Sequence, residues 1–252
     1  MSAAISWSWM APSPTACCAR CRGNERMRAL ILSGGIYHDF DRLGSALAGI
    51  LSAQGFRCEI VTHPDALAAA LAEPADLVAV QALRWRMLGH EKYEPFRADW
   101  AYQAQPDLIA ALEGHVARGA GLLALHTGCI CFDDWPGWLD LLGGGWVWGQ
   151  SFHAPDLEPV TATPVPGHPV TEGLAPFTVT DEHYRALRLD PGVTVLAEGH
   201  SPAGDFPLAW AKGRAVTLTT GHDLASLTEP GQAAFIARAA RWAAGMTGET
   251  RA

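Results

Sequence analysis

Short apolar runs alternate with helical segments along most of this chain, and that alternation restricts its fold more than any other feature. The runs fall at residues 29–32 ("ALIL"), 57–62 ("RCEIVT"), 76–80 ("DLVAV"), 121–125 ("GLLAL") and 214–221 ("RAVTLTTG"). Between them lie "RLGSALAGILSAQG", "PDALAAALAE" and "PDLIAALEGHVARG", and "GQAAFIARAARWAAG" follows the last run. These segments carry apolar residues every three or four positions, with proline or glycine at their ends. The alternation predicts an α/β fold with a mostly parallel central sheet and helices on both faces. Parallel neighbours need a crossover, and the crossover covers the sheet.

The pattern breaks twice. Residues 82–104 read as a polar, aromatic insertion. Residues 143–215 are rich in Gly, Pro and Thr and contain short strand-like pieces. The expectation is one α/β domain over residues 27–247 with an elaborated second half. Residues 1–26 show neither helical nor strand periodicity and lack the layout of a secretory signal. They are expected to be a disordered tail or an upstream extension of the reading frame, and residues 248–252 a C-terminal tail.

Charge narrows the partners. Lys and Arg number 18 against 26 Asp and Glu, a net charge of −8. Nucleic acid and anionic membranes attract clustered cations, so neither is expected as a partner. No apolar run approaches the roughly 18 residues of a membrane span. Cys17, Cys18 and Cys21 form C-C-x-x-C without a second Cys/His pair at finger spacing, which disfavours a metal there. Cys58 reads as a small core residue, and a reducing cytoplasm is the expected compartment.

Histidines follow three of the runs. His38-Asp39 comes after "LILSGG", His126 after "GLLAL" and Gly221-His222-Asp223 after "VTLTT". Ligands of open α/β sheets bind outside the carboxyl ends of the strands, so these residues are expected to share one crevice. Gly34 and Gly35 would allow a ligand close to the backbone. From the elaborated segment come His153, then Asp181, Glu182, His183 and Tyr184 in "VTDEHY", where an imidazole beside a carboxylate suits proton transfer or cation binding. His168, before Pro169, reads as a turn organiser. Nucleotide motifs are missing: "SGGIYHDF" is neither G-x-G-x-x-G nor a P-loop. Cys129 lies three residues beyond His126, off the elbow where a nucleophile would stand, and reads as a packed thiol.

In order along the chain, "LSGGIYHDF", "GAGLLALHTG", "DWPGWLDLLGGGW", "GHPVTEGL", "FTVTDEHY" and "PLAWAKGRAVTLTTGHD" resemble the ThuA-like (trehalose utilisation) family. That family is an offshoot of the class I glutamine amidotransferase-like fold. The resemblance covers roughly residues 28–246. It implies a flavodoxin-like three-layer core without the amidotransferase Cys, and a role in disaccharide catabolism on 3-keto-glycosides. It maps family motif residues onto His38, Asp39, His126, His153, Glu182, Tyr184, His222 and Asp223. The expected function is a carbohydrate-processing enzyme, with a non-catalytic sugar-binding or interaction module as the alternative. His126, Glu182, His222 and Asp223 are the expected catalytic groups. Gly34, Gly35, His38, Asp39, His153 and Tyr184 are expected to bind the ligand. Trp135, Trp146 and Trp148 would offer flat faces to a sugar, or pack the core. Two chemistries stay open. His38, His126, His153 and His222 could hold Zn²⁺ or a similar divalent ion, or a histidine could act as base with Glu182 or Asp223 orienting it. The oligomeric state, a homo-oligomer included, also stays open.

Overall fold

The computed structural model describes residues 26–246. The expectations for the two tails, and for Cys17, Cys18 and Cys21, lie outside the described residues, Arg26 apart.

The first half follows the alternation: β1 (Met27–Gly34), α1 (Phe40–Ala53), β2 (Phe56–Val61), α2 (Pro64–Ala70), β3 (Leu77–Ala82), a short α3 (Arg97–Trp100), α4 (Pro106–Ala117) and β4 (Gly121–Leu125). The second half runs α5 (Pro136–Leu142), β5 (Gly144–Gly145), β6 (Glu158–Pro164), β7 (Phe177–Asp181), β8 (Arg188–Leu189), β9 (Thr194–Ser201), β10 (Gly204–Lys212), β11 (Ala215–Leu218), α6 (Leu224–Leu227) and α7 (Pro230–Ala243). One sheet of nine strands has the order β2-β1-β3-β4-β11-β10-β9-β6-β7. Its first five strands are parallel, in the flavodoxin-like order, and the remaining four extend it antiparallel.

Burial explains the split. Every residue of β3, β4 and β11 is buried, because α1 and α7 pack together on one face and α2 and α4 on the other. α1 turns Phe40, Leu43, Leu47 and Leu51 inward at helical spacing. Each such fully buried side chain contributes roughly 1.5–3 kcal/mol. β7 instead alternates buried and exposed residues, the signature of a strand covered on one face. Parallel register brings the strand ends level: Leu125 of β4 pairs with Leu218 of β11, and Gly34 of β1 with Ala82 of β3.

Residues 82–104, read as a polar, aromatic insertion, pack into the body of the domain, with Trp85, Met87 and Tyr102 buried. Gly34 and Gly35 have a packing reason to be glycine. A Cβ on Gly35 would lie 2.7 Å from the Leu83 carbonyl oxygen, and one on Gly34 would lie 2.9 Å from that of Thr62. They are glycines because neighbouring backbone crosses there. His168 organises its turn as expected: its carbonyl accepts from Thr171 N at 2.9 Å and its Nδ1 from Val170 N at 3.2 Å.

Candidate active site

His126 stands where β4 gives way to a 3-10 turn (His126–Ile130). Its φ is +46°, a left-handed conformation that costs a residue with a Cβ about 1–2 kcal/mol. The turn is tight because Gly128 passes directly over β3: a Cβ there would sit 2.2 Å from the Val80 carbonyl oxygen. This is the strained strand-to-helix elbow on which related α/β enzymes present a nucleophile. Here an imidazole occupies it. Cys129 is a packed thiol, buried and donating to the His126 carbonyl at 3.2 Å, and burial pushes its pKa well up.

The His126 ring is fixed on several sides. Nδ1 donates to the Thr219 carbonyl at 2.8 Å. Tyr184 stacks on the ring at 4.8 Å, and its hydroxyl lies 3.0 Å from Nε2. Thr219 continues from β11. After it Gly221 turns the chain at φ +115°, which aims two consecutive N–H groups, of Gly221 and His222, at Asp181 Oδ2 (2.8 and 3.2 Å). Asp181 is fully buried and also accepts from Ser226 Oγ and from Glu182 N. It ties the end of β7 to the turn that carries His222.

His38, His126, His222, His153 and Glu182 come together. His38 Nε2 is 3.2 Å from His126 Nε2. Glu182 Oε2 is 3.4 Å from His126 Nε2, and Oε1 is 3.6 Å from both His222 Nε2 and His153 Nδ1. The Nδ1 atoms of His38 and His126 are committed to the carbonyls of Ile36 (3.2 Å) and Thr219. In two neutral rings the facing Nε2 atoms would both be bare acceptors. Burial by itself lowers His126, but the carboxylates of Glu182 and Asp181 outweigh it and raise its pKa. Burial, and then the charge of His126, bring His38 down to about 3. Glu182, which burial would raise, is held down to about 2 by its bond to His126 and by the neighbouring histidines. Burial and then Glu182 raise the Tyr184 phenol well above its usual range, so it stays a donor.

Other predicted site residues have further contacts of their own. The carboxylates of Asp39 and Asp223 are helix caps and have no ion pair with the cluster histidines. Asp39 accepts from Arg42 N (3.2 Å) at the start of α1, and Asp223 from Ser226 N (2.8 Å) at the start of α6, satisfying otherwise orphaned N–H groups. His153 differs from the expected four-histidine metal set: its Nδ1, the nitrogen near Glu182, donates to the Ala154 carbonyl at 2.6 Å and so carries a proton. Trp135 packs between Phe132 and Trp138 and lies outside the cleft, unlike Trp146 and Trp148. One donor atom each from His38, Glu182 and His222 lies within 4.8 Å of the others.

The cleft above the cluster has two lobes that share Tyr37, His38 and His222. One, of about 250 Å³, is walled by Trp85, Tyr93, Trp146 and Trp148. The other, of about 480 Å³, is lined by Asp39, Arg42, Asp223 and Thr228. Sequence reasoning grouped Asp181 with Glu182 as a carboxylate beside an imidazole and missed its anchoring role, although it holds an inward position in the alternating "FTVTD". It also missed Trp85 and Tyr93, which lay in a segment read as an insertion.

A family model named ThuA, described as trehalose utilisation, matches residues 28–243. Among solved structures, a ThuA-like protein from Parabacteroides merdae ATCC 43184 is similar with TM-score 0.72 at 17% identity, covering 90% of this chain and 93% of that one. A ThuA-like protein from Bacteroides uniformis ATCC 8492 follows with TM-score 0.65, 20% identity and coverage of 94% and 95%. A structure from Salmonella typhimurium LT2, titled a cytoplasmic protein, gives TM-score 0.53 at 14% identity, covering 87% and 98%. No curated protein matches the chain. Among the described residues no helix is long and apolar enough to cross a membrane.

Proposed function

The chain belongs to the ThuA family, described as trehalose utilisation, and on that premise we propose that it is a carbohydrate-processing enzyme acting on a disaccharide or glycoside bearing a 3-keto sugar. The observation that carries this reading is the placement of Glu182, His38 and His222 in the lining of an aromatic-walled cleft, with His126 buried directly behind them, 3.4 Å from Glu182 and 3.2 Å from His38. Indole faces suit the apolar C–H faces of a pyranose, and the polar second lobe suits a second unit, with the joining bond over the shared histidines.

The chemistry follows from the hydrogen next to a ketone, which is the acidic one. His126, in its neutral form, takes that proton at Nε2. The C–H electron pair forms a carbon–carbon double bond, the bond to the glycosidic oxygen breaks, and the departing oxygen receives the proton as an alcohol. Glu182 Oε2 stabilises the imidazolium in between. Tyr184 and Thr219 hold the ring in place.

A panel of 3-keto-disaccharides assayed for release of free sugar tests the reading. Turnover is expected for at least one, falling by about 100-fold or more in His126→Gln, the scale of a lost general base. Sugar binding without turnover across the panel would make the protein a binding module instead, and full turnover in His126→Gln would remove the assigned base.

A further inference from the structure

We propose that His38, Glu182 and His222 form a site for one divalent transition-metal ion, with a coordination position open to the cleft. Their donor atoms converge from the ends of three different strands, β1, β7 and β11, to within 4.8 Å of one another. Glu182 Oε1 and His222 Nε2 are 3.6 Å apart. Two donors on one tetrahedral ion, with bonds of about 2.0–2.2 Å, stand roughly 3.3–3.6 Å from each other. The spacing of this pair is that of two ligands around a shared centre, and His38 would close the set with a small shift of its ring.

The orientation of the donors fits as well. The Nδ1–H of His38 is spent on the Ile36 carbonyl, so its Nε2 lone pair points into the cluster. Such an outer hydrogen bond is what aligns a ligating histidine. His222 is held from its own backbone, whose N–H donates to buried Asp181. Among the described residues Glu182 has histidines within ion-pair distance and no Lys or Arg. Two imidazoles and a carboxylate with neither Lys nor Arg beside it form a set of electron-pair donors that a cation completes. Two histidines and one carboxylate suit zinc and non-haem iron. His126, buried behind the set with its Nε2 3.2 Å from that of His38, stays outside it and keeps its proton-carrying role. The ion would supply Lewis acidity, polarising a carbonyl oxygen of the substrate. This inference does not depend on which sugar is processed.

The test is metal binding, read without any sugar. Protein prepared without a polyhistidine tag is stripped with chelator, and Zn²⁺ alone is titrated by calorimetry. About one equivalent per chain is expected. Affinity should fall by at least about 100-fold in the double variant His38→Ala/His222→Ala, and substantially in Glu182→Gln. The exposed-site variant His200→Ala should match wild type. Because the double variant could misfold, Co²⁺ added to the unaltered protein gives an independent readout: intense visible d–d bands mark a four- or five-coordinate histidine-bearing site. Absence of saturable uptake of Zn²⁺, Fe²⁺ and Mn²⁺, or uptake unchanged in Glu182→Gln and the double variant, would overturn the proposal. Metal binding without sugar turnover would count against the catalytic reading alone.

Discussion

At the scale of single residues, His126 meets two demands at once. It must hold φ +46° and present Nε2 to Glu182. The two separate by substitution. His126→Ala and His126→Gly both remove the imidazole, but only alanine still has to carry a Cβ in the left-handed region. Urea unfolding should therefore find the glycine variant more stable than the alanine variant by about 1 kcal/mol, with both inactive; the opposite order would mean that the turn relaxes when the ring is lost. His115 illustrates a buried histidine with a purely structural job. It is fully buried, its Nε2 donates to the Gly121 carbonyl (2.7 Å), and its Nδ1 accepts from Arg118 (2.9 Å). Burial first, with the Arg118 charge, lowers its pKa from 6.5 to about 4. The unfolded chain then binds the extra proton between those values. His115 thus contributes its full stability above pH 6.5 and loses it progressively as the pH falls towards 4, by up to about 3 kcal/mol. Thermal melts of wild type and His115→Gln should converge over that window, and a constant gap would refute the assignment. In the sequence, His38, His126 and His222 were legible because parallel strands end on one edge. The roles of Asp39 and Asp223 were not, because an aspartate after a strand-end turn serves equally as a helix cap.

At the scale of elements, the site depends on how β7 is fastened to the turn after β11. Asp181 receives four hydrogen bonds there, from Gly221 N, His222 N, Ser226 Oγ and Glu182 N. An asparagine would turn an N–H₂ group towards donors or surrender acceptors that are already used. Asp181→Asn should cost about 2–4 kcal/mol, the range for disrupting a buried charged group with several partners. Because Glu182 and His222 lose their common anchor, activity should fall more than in Ser226→Ala, which removes one bond. A loss below about 0.5 kcal/mol, the level of ordinary surface changes, would show that the turn holds itself. The parallel half of the sheet could be read from the chain because each strand there is a local, fully apolar run flanked by its own helix. The antiparallel half could not. The pairing of β6 with β9 and β7 joins segments whose partners no local pattern specifies, and β5 and β8 have two residues each. The alternation in "FTVTD" nevertheless holds an unread signal: Asp181 falls on the inward face, which is unusual for a carboxylate and points to a bonded role.

At the scale of the molecule, the candidate site lies across the boundary between two kinds of sheet. The parallel half supplies His38, His126 and His222, and the antiparallel extension supplies His153, Glu182 and Tyr184. The centre exists only while both halves stay docked. Hydrogen exchange should show this division: amides of central β3 and β4 are expected to exchange only through global unfolding, and those of the edge strands β2 and β7 earlier. A ligand that bridges the halves should slow β7 selectively, whereas uniform protection would indicate one indivisible unit. The aromatic wall has a different consequence. Trp85 and Trp148 lie face to face, 5.5 Å between centroids and 18° from parallel, with Trp148 still 40% exposed. Two indoles this close share their electronic excitation, so their circular dichroism should contain a paired positive and negative band that neither ring produces alone. Trp148→Phe should erase that couplet without altering the backbone signal. A guest sliding against Trp148 would change the angle between the two transition dipoles and hence the amplitude. The cleft thereby carries its own optical gauge of occupancy, readable even in a variant that converts nothing.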